Sequence, residues 1–148
     1  MSRRPAVYQV DIAVTPADID ELGHVNNVVY LRWVQEVATA HWLTAAGPDL
    51  VAAIKWVVLR HEIDYRRPAL ATDRLRARTW VGDATGTRFE RHVEIVRARD
   101  GVALARARTV WCPVDAETGR LKRLDPAANE RFLEPAETAE GSGNVTPG

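Results

Sequence analysis

Serine is nearly missing from this sequence of 148 residues: Ser2 and Ser142 are the only two. Both lie in expected tails, which excludes a serine nucleophile and the G-x-S-x-G elbow that would carry one. Lysine is as scarce, with Lys55 and Lys122 alone, neither in a pocket-forming motif. The single cysteine, Cys112, precludes an intramolecular disulfide and suits a reducing compartment. It closes an expected strand just before Pro113 and reads as a packed, unreactive thiol. His24, His41, His61 and His92 follow no H-x-H or H-E-x-x-H spacing, so no tight metal site is expected. Walker and G-x-G-x-x-G loops are also missing, so no phosphate cradle and no redox cofactor is expected. No apolar run reaches signal-peptide or membrane-spanning length. The formal net charge is zero, so nothing in bulk attracts nucleic acid. These absences predict a cytoplasmic protein with neither membrane nor nucleic-acid partners. Carboxylates, histidines and backbone amides are left to do any chemistry.

What is present is ordered. Apolar residues make up 46% and charged residues 27%, enough to build one globular core. Residues 7–14 (VYQVDIAV) are β-rich, and a polar, turn-prone stretch follows. From Val28 to Ala46 there is neither glycine nor proline, and Arg32, Gln35, Glu36 and Thr39 recur at helical spacing. Asn26 or Asn27 can cap this helix, and Gly47-Pro48 stops it. So thin a polar stripe predicts a largely buried helix, about 28 Å long. Strands are expected at 54–68, 73–81, 87–96 and 102–112, with a hairpin at Asp100-Gly101. On 73–81 the inward set is Leu75, Ala77, Thr79 and Val81; on 87–96 it is Phe89, Val93 and Ile95. The arginine row opposite the first set is placed to meet the glutamate row opposite the second, on an outer sheet face. A short helix is expected within 125–133, giving a single domain over 1–133 and a disordered tail over 134–148. One strand, a long helix and four antiparallel strands make an α+β fold, a five-stranded antiparallel sheet wrapped round a central helix.

The densest cluster of chemically useful groups is Asp18, Asp20, Gly23, His24, Asn26, Asn27 and Tyr30, in the loop leading into the helix and its first turn. A helix N-terminus offers unpaired N–H groups and the positive end of the dipole, which suit an oxyanion. A carboxylate just upstream can attack a carbonyl or activate water beside it. Gly23 allows close backbone approach. The structural alternative is equally concrete: Asp and Asn before a helix also serve as caps, and a loop histidine as a hydrogen-bonding residue.

The run D-I-D-E-L-G-H-V-N-N-V-V-Y-L-R-W resembles the helix-opening motif of hot-dog-fold thioesterases. That group includes 4-hydroxybenzoyl-CoA, acyl-CoA and plant-type acyl-ACP thioesterases. HEIDYRRPAL-x-x-D and RARTVWCPVDAETGR are similar to later segments of the family, and the likeness spans roughly 7–133. The resemblance implies hydrolysis of an acyl-CoA or acyl-carrier-protein thioester, with Asp20 as nucleophile or as base for water. It implies that the Asn27 N–H polarises the carbonyl, that His24 assists proton transfer, and that Gly23, Asn26 and Tyr30 contact substrate. Arg66 and Arg67, with Arg120 and Arg123, are the candidate cations for coenzyme A phosphates. The family also implies a homodimer, or a homotetramer, with sites shared between subunits. Leu22 departs from the plant-type pattern, which has Asn there, so an Asn-supported mechanism does not carry over. Glu36 is off the spacing of the clade that uses a helix glutamate, and an Arg32–Glu36 pair accounts for it. Two rival readings stand beside hydrolysis. One is an enoyl-thioester hydratase or dehydratase, whose D-x-N-P-x-H motif is not present; the other is a non-catalytic acyl-thioester binding module.

Overall fold

The computed structural model describes residues 3–135, so the expected tail lies outside the described residues except for Glu134 and Pro135. Alternation of apolar and polar residues builds five strands: β1 (Tyr8–Ala13), β2 (Ile54–Tyr65), β3 (Arg74–Thr85), β4 (Arg88–Arg97) and β5 (Ala103–Asp115). They form one antiparallel sheet in the order β1-β3-β4-β5-β2, leaving β1 and β2 as its edges. The long helix α1 (Asn27–Ala45) lies across β1, β3 and β4. This is the hot-dog arrangement. The Asn26 side chain accepts the Val28 N–H at 3.1 Å, so Asn26 is the cap and Asn27 the first helical residue.

Burial of α1 follows one face. Tyr30, Trp33, Val34, Val37, His41 and Trp42 turn inward, whereas Arg32, Gln35, Glu36 and Thr39 lie on the open side, joined by Val28 and Leu43. A helix largely buried on its own subunit is therefore not what forms; its outer face is open. Beneath it lie two apolar clusters. The larger gathers Tyr30, Trp33, Val34 and Val37 on Leu75, Val93, Ile95 and Leu104. The smaller, at the C-terminal end, joins Trp42, Ala46, Ile54 and Phe132. Full burial of a side chain such as Leu75 or Ile95 stabilises by roughly 1.5–3 kcal/mol each.

The charged rows meet as expected on the outer face: Glu94 takes Arg106 at 2.8 Å and Arg78 at 3.6 Å, and Glu90 pairs with Arg108. Three local features depart from expectation. A short helix, α2 (Pro48–Ala53), follows the glycine stop directly, since Pro48 begins the next helix as readily as it ends the last. Strand β2 ends at Tyr65, before Pro68, and its pairing with β5 slips at Leu59 through a bulge. The expected short helix is a turn of α-helix, α3 (Pro126–Asn129), continued by a 3₁₀ turn that buries Phe132.

Candidate functional site

The loop from Thr15 to Asn26 is held from below by a buried aspartate. Asp18 accepts the Thr15 N–H at 2.9 Å and the Arg32 Nη2 at 3.0 Å, while its carbonyl accepts the Asn26 N–H at 2.8 Å. Burial alone would push this carboxyl up, but the Thr15 amide and the Arg32 guanidinium together outweigh it and hold the pKa below the usual range. Asp18 is thus a brace, the role its position next to a helix start suggested. Bridges Ile19–Val25 and His24–Leu70 close the loop, and the Val25 N–H donates to the Ala69 carbonyl.

Asp20 stands at the turn of this loop, half-buried. Its Oδ1 accepts the N–H groups of Leu22 at 2.9 Å and His24 at 3.1 Å, and its own N–H donates to the His24 carbonyl at 2.7 Å. Those bonds fix the carboxylate in one orientation, while Oδ2 takes no hydrogen bond among the described residues. Gly23 has φ +79, the left-handed region that favours glycine, and a Cβ there would meet nothing within 4 Å. Turn geometry, not crowding, therefore requires the glycine. The His24 ring is half-buried and makes no hydrogen bond among the described residues.

At the helix mouth the amides divide cleanly. The Val28 N–H is taken by the Asn26 side chain and the Val29 N–H by the Asn26 carbonyl, whereas the Asn27 N–H has no acceptor among the described residues. A free amide at the first position of a 19-residue helix is able to donate to an anion. On the other side, the Tyr65 hydroxyl donates to the Asn27 carbonyl at 2.9 Å, tying the end of β2 to the mouth. Arg66 and Arg67 follow Tyr65 directly, exposed, with both backbone N–H groups on the Leu104 carbonyl and no ion pair among the described residues. The structure ties neither Arg120 nor Arg123 to this mouth.

Tyr30 is packed into the core beneath the mouth. It is buried, its hydroxyl accepts the Ala69 N–H at 3.1 Å, and its ring meets Tyr65 and Trp33 edge-on. Burial raises its pKa. It fixes the helix to the segment after β2. Around the mouth, large apolar side chains stand in solvent: Leu22 is 78% exposed and Val28 69%, with Leu70 and Tyr65 also exposed.

A second cluster of buried polar residues was not anticipated. Arg91, 8% exposed, donates through Nη1 to His41 Nδ1 at 2.8 Å and to Thr79 Oγ1 at 3.1 Å. Because guanidinium only donates, His41 Nδ1 is an acceptor and its ring is the neutral Nε2–H tautomer. Burial, with Arg91 beside it, lowers the His41 pKa to about 4, and burial lowers that of Arg91 to about 10. Arg91 lines a cavity of about 300 Å³ walled by Trp42, Trp56, Phe89, Trp111 and Phe132. A second cavity, of about 420 Å³, lies between Gly47–Leu50 and Arg131. Neither contains Asp20, His24 or Asn27. Strand register carried the signal for Arg91, since it stands in the inward series Phe89, Arg91, Val93, Ile95. Among the described residues, no three His, Cys, Asp or Glu side chains are grouped to hold a metal, and no helix is long and apolar enough to cross a membrane.

Residues 14–132 match the family profile described as the thioesterase-like superfamily. Over 132 residues the chain is 26% identical to the long-chain acyl-CoA thioesterase FadM of Escherichia coli K12, covering 84% of this chain and 96% of that one. A thioesterase from Thermus thermophilus, solved with coenzyme A and zinc, superposes with TM-score 0.71 at 27% identity, over 84% of this chain and 90% of that one. A 1,4-dihydroxy-2-naphthoyl-CoA thioesterase from Synechocystis shares the fold, with TM-score 0.73 at 21% identity, over 86% and 96% of the two chains.

Proposed function

The chain belongs to the thioesterase-like superfamily, and from that premise we propose that it hydrolyses acyl-CoA thioesters with Asp20 and the Asn27 amide as its reacting groups. The observation that carries this reading is the free Asn27 N–H at the mouth of α1, a loop's length from a carboxylate pinned by two amides. The thioester carbonyl oxygen accepts from the Asn27 N–H, and the helix dipole favours the charge that gathers there. Asp20, fixed through Oδ1, uses Oδ2 either to attack the carbonyl carbon or to take a proton from the attacking water. His24 stands next to that carboxylate in the loop and serves proton transfer to the departing thiolate. Gly23 and Asn26 shape the loop under the thioester, and Tyr30 supports it from the core. Arg66 and Arg67 meet the coenzyme A phosphates at the mouth.

The active unit in this reading is a homodimer joined through β2. That strand is an edge whose outer hydrogen-bonding side is unpaired among the described residues, and Val57, Leu59 and Tyr65 are exposed along it. An uncovered edge with apolar side chains invites a second strand, and two-fold antiparallel pairing of β2 with its copy closes it. The same pairing brings cover to Leu22, Val28 and Leu70 at the mouth. Sedimentation of the wild type as a dimer, and of Leu59→Arg as a monomer, is the expected outcome; a monomeric wild type contradicts it.

Turnover of a panel of acyl-CoAs, short to long and aromatic, tests the activity. Release of free coenzyme A from at least one member is expected, and none from any member sinks the reading. Single turnover in heavy-oxygen water separates the two roles of Asp20: label in the enzyme carboxylate identifies a nucleophile, and label in the product acid alone a base.

A further inference from the structure

The cavity beneath the C-terminal half of α1 is mainly aromatic and apolar, with Thr39, Lys55, Glu90, Arg91 and Asn129 as its polar lining. Arg91 carries five N–H groups, and only those on Nη1 find acceptors among the described residues, leaving Nε and Nη2 without one. Trp111, which lines the same cavity, presents the one buried side-chain polar atom without a hydrogen-bond partner among the described residues, its Nε1. A buried guanidinium with no carboxylate beside it is costly, by several kcal/mol for an uncompensated ion. His41 and Thr79 supply only neutral acceptors, and the Phe132 ring, 5.9 Å from the guanidinium carbon, a weak attraction. Glu90 also borders the cavity, but its carboxylate is turned to Arg108 on the outer face. The site is therefore short of one acceptor, and of one negative charge.

We propose that this cavity holds the acyl group of the thioester and selects acyl groups that end in a carboxylate. A carboxylate meets the fork of Nε and Nη2 in the bidentate geometry that guanidinium favours, with the Trp111 N–H as a third donor. Trp42, Trp56, Phe89 and Phe132 enclose the methylene or aromatic body. A volume of about 300 Å³ is twice the roughly 150 Å³ that admits benzene, so about a dozen non-hydrogen atoms fit. A plain alkyl end fills the same space but leaves Nε and Nη2 of Arg91 without an acceptor, at roughly 1–3 kcal/mol for each unsatisfied group.

This assignment rests on the thioesterase reading and its β2-paired dimer, because the cavity serves the partner's site. Its helix residues, Ala38 to Leu43, lie 11 to 16 residues past Asn27, about 16–24 Å along α1 and too far for the same chain's thioester. Lys55 and Trp56, on its rim, begin β2, while Tyr65 ends that strand at the helix mouth. Antiparallel pairing of two β2 strands in full overlap sets the first end beside the partner's second end. Each mouth then opens onto the other subunit's cavity.

The test compares hexanoyl-CoA with adipoyl-CoA, which differ at the far end by a carboxylate. For the wild type, kcat/KM for adipoyl-CoA is expected to exceed that for hexanoyl-CoA on the order of 10²-fold. Arg91→Met should bring the ratio to near one or below, lowering adipoyl and raising hexanoyl turnover, and Trp111→Phe should give an intermediate ratio. Equal or reversed wild-type preference, or a ratio unmoved by Arg91→Met, overturns the proposal. Should Arg91→Met lose its cooperative melting transition, Trp111→Phe decides by the same ratio. Tryptophan fluorescence separates pocket from chemistry, since Trp42, Trp56 and Trp111 line the cavity. If neither thioester is hydrolysed, saturable quenching by free adipate that vanishes in Arg91→Met upholds the pocket while the hydrolase reading falls; no quenching by adipate overturns the pocket itself.

Discussion

The two ends of α1 solve opposite problems. At the N-terminus the backbone supplies a donor, the Asn27 N–H, and the neighbouring loop supplies an anion, Asp20, in a mouth left open to solvent. At the C-terminus the side chains supply the donors, Arg91 and Trp111, in an aromatic cavity whose one lining carboxylate, Glu90, is turned to Arg108. Charge is cheap to keep at the first end, which is exposed, and costlier at the second, where Arg91 is buried. A polar group near solvent can be explained by capping or bracing alone. A buried cation with only neutral partners is harder to explain that way, so the second end gives the sharper test of the pocket assignment.

Breaking the first end should have the largest effect. Asp20→Asn keeps an acceptor for the Leu22 and His24 amides and removes the charge, so the loop stays folded while kcat falls about 10²–10⁴-fold. A wild-type rate in that variant removes Asp20 from the chemistry. The second end shows instead in stability. With its pKa near 4 in the folded protein against about 6.5 unfolded, His41 stays neutral when native and takes a proton when unfolded. Its contribution is full above pH 6.5 and is lost as pH falls towards 4, by on the order of 3 kcal/mol in total. His41→Gln, which keeps an acceptor for Arg91 but does not titrate, should flatten that part of the stability profile in denaturant melts; an unchanged slope refutes the assignment. Asn26→Ala removes the cap on Val28 and should cost about 1 kcal/mol with a comparatively small change in rate, so it sharpens the contrast between holding the mouth and using it. Tyr65→Phe is smaller still: loss of one half-exposed bond to the Asn27 carbonyl is expected to cost about 0.5–1.5 kcal/mol in chemical denaturation.

The N-terminal end was legible in the sequence because its parts are local. Asp20, Gly23, Asn26 and Asn27 fall within eight consecutive positions, and capping chemistry places them at a helix start without knowledge of the sheet. What the sequence left open there was small, the choice of Asn26 over Asn27 as cap, which one hydrogen bond decides. The strands were readable by alternation, and so was the charged outer face from the Arg and Glu rows. The C-terminal end was not read, because its residues come from positions 41, 79, 91, 111 and 132 and meet only when the sheet curls under the helix. Arg91 stands in the inward register of β4, but an arginine is by default a surface residue, and that expectation masked the alternation. The bulge at Leu59 leaves no compositional mark, and α2 was hidden by a Gly-Pro pair that both ends one helix and begins another.

The most direct test of the account is Asn27→Pro, compared with Asn27→Ala. Proline at the first helical position removes the N–H alone; Asn26, at φ −63 and ψ 139, already has the backbone a following proline requires. The account predicts a melting temperature close to that of Asn27→Ala and a kcat lower by about 10²–10³-fold. Equal kcat in the two variants would contradict it, since the amide at the mouth of α1 would then have no part in the reaction.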